Sequence, residues 1–184
     1  MKDKVKYKTN HHDEKEKAMQ DILYAPWRDE YVTSKEIQGC VFCHISESAH
    51  EDEALHVLYR DALCFIVMNR YPYTPGHFMI IPHLHTDKLE ELPSETWLHM
   101  SALAQQCVRL LKEGINADGV NIGMNLGKAG GAGIAEHIHM HLVPRWDRDT
   151  NFMTSIAQNR VYSTDFLRIY QKIKNLLPKY ITHD

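Results

Sequence analysis

The sequence predicts an α+β fold, an antiparallel β-sheet with helices packed on it. Three observations lead there. Read as a strand, Glu136 to Arg145 puts His137, His139 and His141 on one side and Ile138, Met140 and Leu142 on the other. Ser94 to Glu113 repeats its apolar residues at helical spacing, and Ser163 to Leu177 does so again. The elements run hairpin, strand, helix, two antiparallel strands, helix. At 184 residues the chain is long enough for one domain with a full core and too short for two of ordinary size.

The elements follow in order. Residues 1–20 are charged and nearly without bulky apolar groups, which predicts a flexible tail, and residues 21–184 are expected to form the single domain. Ile22, Leu23, Tyr24, Trp27 and Tyr31 make an apolar patch around Pro26 that needs a surface to dock on. Leu55 to Tyr59 and Leu63 to Met68 flank Arg60-Asp61-Ala62 as a hairpin. Two prolines and a glycine between Tyr71 and Gly76 make a loop that feeds a buried-looking strand, His77 to Pro82. The first helix follows Pro93, with Ser94 as its expected cap, Trp97, Met100, Leu103, Ala104, Cys107, Val108 and Leu111 as its core face, and Gly114 as its stop. Val120 to Asn125 alternates as a half-buried strand, and Leu126 to Gly133 is rich in glycine. In the last helix Phe166, Ile169, Tyr170, Ile173 and Leu176 share a face, and Pro178 ends it.

Composition excludes several classes. The formal net charge is -3 and basic residues form no block beyond the N-terminal tail, so no nucleic-acid footprint is present. No stretch approaches the roughly eighteen apolar residues of a membrane span, and the N-terminus lacks the apolar segment of a secretory leader, so a cytoplasmic protein is expected. The four cysteines make no disulfide framework; Cys64 and Cys107 sit in apolar runs as core residues, while Cys40-x-x-Cys43 suits two thiolates on one tetrahedral zinc ion, or a pair of reduced, unmetallated thiols.

Thirteen histidines mean that most are surface or packing residues, but three in strict alternation opposite three apolar residues are not explained by packing. A His-x-His pair can chelate zinc. One ion does not hold all three, because His137 and His141 lie roughly 13 Å apart along a strand at about 3.3 Å per residue. At least one is free for other chemistry.

His137-Ile138-His139-Met140-His141-Leu142-Val143 resembles the His-x-His-x-His-x-x signature, with x apolar, of the histidine triad (HIT) family of nucleotide hydrolases and transferases. Asn69 to His77, Cys40 to Cys43, Asn125-Leu126-Gly127 and Pro144-Arg145-Trp146 are similar to that family too. Tyr24-Ala25-Pro26-Trp27-Arg28 and Asn151-Phe152-Met153 look most like its bacterial diadenosine tetraphosphate phosphorylase branch. The resemblance implies a HIT-like fold, a small-molecule nucleotide substrate and a homodimer. It implies attack by His139 on a nucleotide α-phosphorus to give a covalent nucleotidyl-histidine. The other ring nitrogen of His139 then has to donate to an acceptor, commonly a backbone carbonyl. By the same resemblance His141 and Asn125 hold phosphate oxygens, Asn69 binds the ribose, and His137 supports the site. Cys40, Cys43, His85 and His137 hold a structural zinc. Gly131 and Gly133 lie in the run whose backbone N–H groups can approach a phosphate, and Gly133 stands where many members carry a glutamine or serine. Lys128 and Arg145 are the candidates to bind inorganic phosphate as acceptor. The alternatives are a phosphoramidate or dinucleotide hydrolase of the same family, a metal-dependent hydrolase using the His-x-His pair, and a nucleotide-binding protein of low turnover.

Overall fold

The computed structural model describes residues 39–147, 149 and 164–182. The tail, the Ile22 to Tyr31 patch and Asn151-Phe152-Met153 lie outside them. Five strands form one sheet in the order β1-β2-β3-β5-β4, each pair of neighbours antiparallel. They are β1 (Val57–Arg60), β2 (Cys64–Met68), β3 (Phe78–Pro82), β4 (Gly119–Gly123) and β5 (Met140–Arg145). Every residue of β2 and β3 is buried, which explains their unbroken apolar reading: they are central and covered on both faces. The hairpin between β1 and β2 is tied by Asp61, whose Oδ1 accepts the N–H groups of Leu63 and Cys64 at 2.8 and 2.9 Å. The first strand starts later than the sequence suggests, because His56 adopts φ 58° and Val57 turns its N–H to the Asp52 carbonyl at 2.7 Å.

The two faces of the sheet have different cover. Cys64, Ile66, Met68, Phe78, Ile80, Met140 and Leu142 pack against α2 (Ser94–Arg109) and α3 (Phe166–Leu176) in the main core. Phe65, Val67, Met79 and Ile81 point the other way, onto Phe42 and Ile45 of the short α1 (Val41–Glu47). Helix α2 buries Met100, Leu103, Ala104 and Cys107 as its spacing requires, then widens into a π turn over Leu110–Gly114. Two details depart from expectation. Ser94 is already the first helical residue and caps nothing; Trp97, assigned to the core by periodicity, lies 36% exposed at the rim of a shallow apolar hollow of about 430 Å³ shared with Val108, Ile122 and Met140. Helix α3 is capped by Asp165, which accepts the Arg168 N–H at 2.8 Å. Among the described residues no helix is long and apolar enough to cross a membrane.

Candidate active site

The triad segment enters the sheet from a loop. His137 to His139 precede the hydrogen-bonded part of β5, and the Ile138 N–H anchors them on the Thr86 carbonyl at 2.9 Å. The alternation survives: Ile138, Met140 and Leu142 lie in the main core, so all three histidines face the α1 side. Pairing of Met79 with His141 and of Gly123 with His141 sets the third histidine between β3 and β4.

His139 is buried, and its Nδ1 lies 2.8 Å from the His137 carbonyl oxygen. A carbonyl only accepts, so Nδ1 carries the proton and Nε2 keeps its lone pair. Burial holds the ring's pKa below the ordinary histidine value, opposed by that hydrogen bond. Neutral His139 therefore presents an unprotonated Nε2 on a ring of fixed orientation. Phe42 packs against it, ring centroids 5.1 Å apart, and stands edge-on to His137 at 5.6 Å.

His137 faces the thiols. Its Nε2–H donates to the Pro82 carbonyl at 3.0 Å, which leaves Nδ1 as a free ligand atom, 3.4 Å from Cys40 Sγ and 3.7 Å from Cys43 Sγ. His85 Nδ1 is 3.1 Å from Cys43 Sγ. One ligand atom from each of the four residues falls within 4.8 Å of the others. Tetrahedral zinc with sulphur at about 2.3 Å and nitrogen at about 2.05 Å sets S···N separations of about 3.6 Å, so two thiols and two imidazoles brought this close fit that ion. Burial and the neighbouring Cys40 push the Cys43 thiol up to about 11, so a bound cation has to displace a proton. Of the triad, only His137 joins this cluster.

The other expected residues are placed less simply. Asn69 Oδ1 accepts the Tyr71 N–H at 2.9 Å and closes the turn after β2. The Gly131 N–H, expected to face a phosphate, donates to the Lys128 carbonyl at 3.1 Å, while Gly133 is exposed with open space around it. The loop folds back on Asn125, since a Cβ on Gly130 would sit 3.7 Å from its backbone. Lys128 is exposed on that loop. Arg145 pairs with both Asp149 oxygens at 2.5 and 2.7 Å and with Asn121 Oδ1 at 2.9 Å.

Sequence reading missed His77, which is fully buried with its Nε2 2.9 Å from His141 Nδ1. It also missed Tyr73, whose ring stacks near-parallel to His141 at 6.1 Å. The available signal was that His77, Met79 and Ile81 share a face of β3; that this is the histidine face of β5 needs the pairing of Met79 with His141.

The chain is similar to several known proteins. An AP-4-A phosphorylase of Mycobacterium tuberculosis is 40% identical over 110 residues, 60% of this chain and 56% of that protein. An adenylylsulfatase of Arabidopsis thaliana is 34% identical over 122 residues, 66% of this chain and 60% of that protein. The match therefore spans a little over half the length of each of these two relatives. A zinc-bound histidine triad family protein of Mycobacterium smegmatis superimposes with a TM-score of 0.63 at 33% identity, covering 77% of this chain and 94% of that one. The HIT domain itself matches residues 51–148, which takes in the sheet, α2 and the whole triad, so the chain belongs to the HIT domain family.

Proposed function

We propose that the protein is a nucleotidyl transferase acting at the α-phosphorus of a dinucleoside polyphosphate such as diadenosine tetraphosphate, with inorganic phosphate as the acceptor. The observation that carries the chemistry is the 2.8 Å bond from His139 Nδ1–H to the His137 carbonyl, because it leaves an unprotonated Nε2 beside His141. In the first step the Nε2–phosphorus bond forms and the phosphorus–oxygen bond to the departing nucleotide breaks. The polyphosphate leaves as an anion and takes no proton. The resulting phosphoimidazolium is stabilised by the same carbonyl. In the second step an oxygen of phosphate attacks, the nitrogen–phosphorus bond breaks, and His139 returns to its neutral form.

His141 and Asn125 are assigned to the phosphate oxygens, Asn69 to the ribose, and the glycine-rich loop with exposed Lys128 to the polyphosphate and acceptor. A structural zinc on Cys40, Cys43, His85 and His137 would pin the start of the triad segment to α1. The reducing cytoplasm is the compartment that keeps such thiols unoxidised. Two copies are proposed to pair through β4, which ends the sheet, and through the apolar hollow beside it. The phosphorylase assignment is supported by likeness to the mycobacterial protein over half its length. Likeness to the plant adenylylsulfatase favours a second reading, in which water resolves the intermediate.

Product analysis separates them. With diadenosine tetraphosphate and excess phosphate, phosphorolysis yields ADP and ATP. AMP and ATP under the same conditions would leave the two-step chemistry standing and reject phosphate as acceptor. Absence of turnover on diadenosine tetraphosphate, adenosine 5'-phosphosulfate and an adenosine phosphoramidate alike would leave only a nucleotide-binding protein.

A further inference from the structure

His77 belongs to no part of the chemistry above, yet it is fully buried between the loop from Asn69 to Gly76 and the third histidine of the triad. Its two ring nitrogens have different partners. The Tyr73 backbone N–H donates to His77 Nδ1 at 3.1 Å, so Nδ1 carries no proton. A neutral imidazole then bears its proton on Nε2, and that atom lies 2.9 Å from His141 Nδ1. His141 Nδ1 has to accept, which puts the remaining proton of His141 on Nε2, the nitrogen not engaged by His77. The Asn69 amide nitrogen sits farther off, 3.4 and 3.3 Å from the two ring nitrogens, shared between them and longer than either of these contacts.

We propose that His77 is a positioning residue that fixes the tautomer of His141, so that His141 offers an N–H donor to the phosphoryl oxygens while its neighbour His139 offers a lone pair. The two histidines thus reach the same phosphate in opposite tautomers, each set by a backbone group: the His137 carbonyl for one and the Tyr73 N–H, relayed through His77, for the other. No proton changes hands in this relay; it supplies a hydrogen bond. Tyr73 contributes twice, since its ring also covers His77 at 4.8 Å and His141 at 6.1 Å, keeping water from the bond between them. Burial, with His141 and then His139 nearby, holds His77 down at about 3, and burial with His139 nearby holds His141 down at about 4. Both rings are neutral near pH 7, where a tautomer is the meaningful state. The loop is built to hold this arrangement. Thr74 Oγ1 donates to the Pro144 carbonyl at 2.7 Å and ties the turn to β5.

The role of His141 rests on the proposed nucleotidyl transfer, but the tautomers do not, and they are measured without substrate. In 15N-histidine-labelled protein, long-range 1H–15N correlation is expected to show Nε2–H forms for His77 and His141 and an Nδ1–H form for His139. His141 found in the Nδ1–H form overturns the relay. Two variants add a kinetic readout. In His77→Gln the carboxamide can accept from Tyr73 and donate to His141; His77→Phe fills the same buried space and can do neither. Turnover of diadenosine tetraphosphate is expected to fall at least tenfold further in His77→Phe than in His77→Gln, in kcat more than in KM, with the His141 signal moving toward a tautomer mixture. Equal losses with an unmoved His141 signal would show that His77 only fills space. Should His77→Phe not fold, the wild-type spectrum alone decides. Expected tautomers with no turnover of any nucleotide would uphold the relay and reject the function proposed above.

Discussion

Replacing Gly76 by alanine tests how the loop delivers His77, and two separable effects set its size. Gly76 has φ 83°, a conformation that costs an L-residue about 1–2 kcal/mol. A Cβ there would also lie 2.9 Å from Ile115 Cδ1, with Ile173 Cδ1 at 3.4 Å and Pro144 Cγ at 3.5 Å behind it. The nearest atom ends a rotatable side chain, so the crowding stays at the low end of overpacking costs, about 1 kcal/mol. Gly76→Ala is therefore expected to destabilise the fold by about 2–3 kcal/mol, read as the difference in unfolding free energy from urea titrations followed by tryptophan fluorescence. Ile115→Val removes the Cδ1 that the new methyl meets. Placed on top of Gly76→Ala it is expected to restore about 1 kcal/mol relative to the sum of the single changes, leaving the backbone part untouched. A loss below about 0.5 kcal/mol for Gly76→Ala, or strict additivity in the pair, would refute the reasoning. Because Gly76 adjoins His77, turnover is expected to fall along with stability.

His139→Asn is expected to lose several orders of magnitude in kcat while nucleotide binding, followed by calorimetry, survives; near-normal turnover would remove the nucleophile from the mechanism. Elemental analysis is expected to find about one zinc per chain, with absorption-edge distances near 2.3 Å for sulphur and about 2.0–2.1 Å for nitrogen, and Cys43→Ser to lose it; full stability in a metal-free protein with both thiols titratable would contradict the assignment. His77 and His141, held at about 3 and about 4, lie below histidine's ordinary value of about 6.5. Between those values the unfolded chain binds protons the folded chain does not, so their contribution is complete above about pH 6.5 and is lost as pH falls through about 4 for His141 and about 3 for His77. A urea midpoint that stayed flat from pH 6.5 to 4.5 would show that both rings titrate alike in the two states. Light scattering is expected to give twice the 21.4 kDa chain mass, and Ile122→Lys on the edge strand to halve it; a wild-type monomer at micromolar concentration would rule out the pairing.

The sequence determined what local periodicity and spacing determine. Alternation from His137 to Leu142 separated the apolar face of the triad segment from its histidine face, because side chains alternate along any extended chain. Helical spacing located α2 and α3, and Cys40-x-x-Cys43 put two thiols of the candidate metal cluster on one short turn. What joins distant segments was decided by tertiary structure. That His77 meets His141 follows from the register of β3 on β5, with Met79 opposite His141; a shift of one residue would turn His77 to the other face. That His137 Nδ1 faces the thiols follows from the Pro82 carbonyl taking the other ring nitrogen. The pairing of Arg145 was not legible because charge in a sequence says nothing of partners, and Asp149 is placed by the turn after β5 to pair with it. Trp97 was misjudged because helical periodicity identifies an apolar face but not how much of it the sheet covers; Trp97 lines the hollow beside Ile122 of β4 and stays 36% exposed.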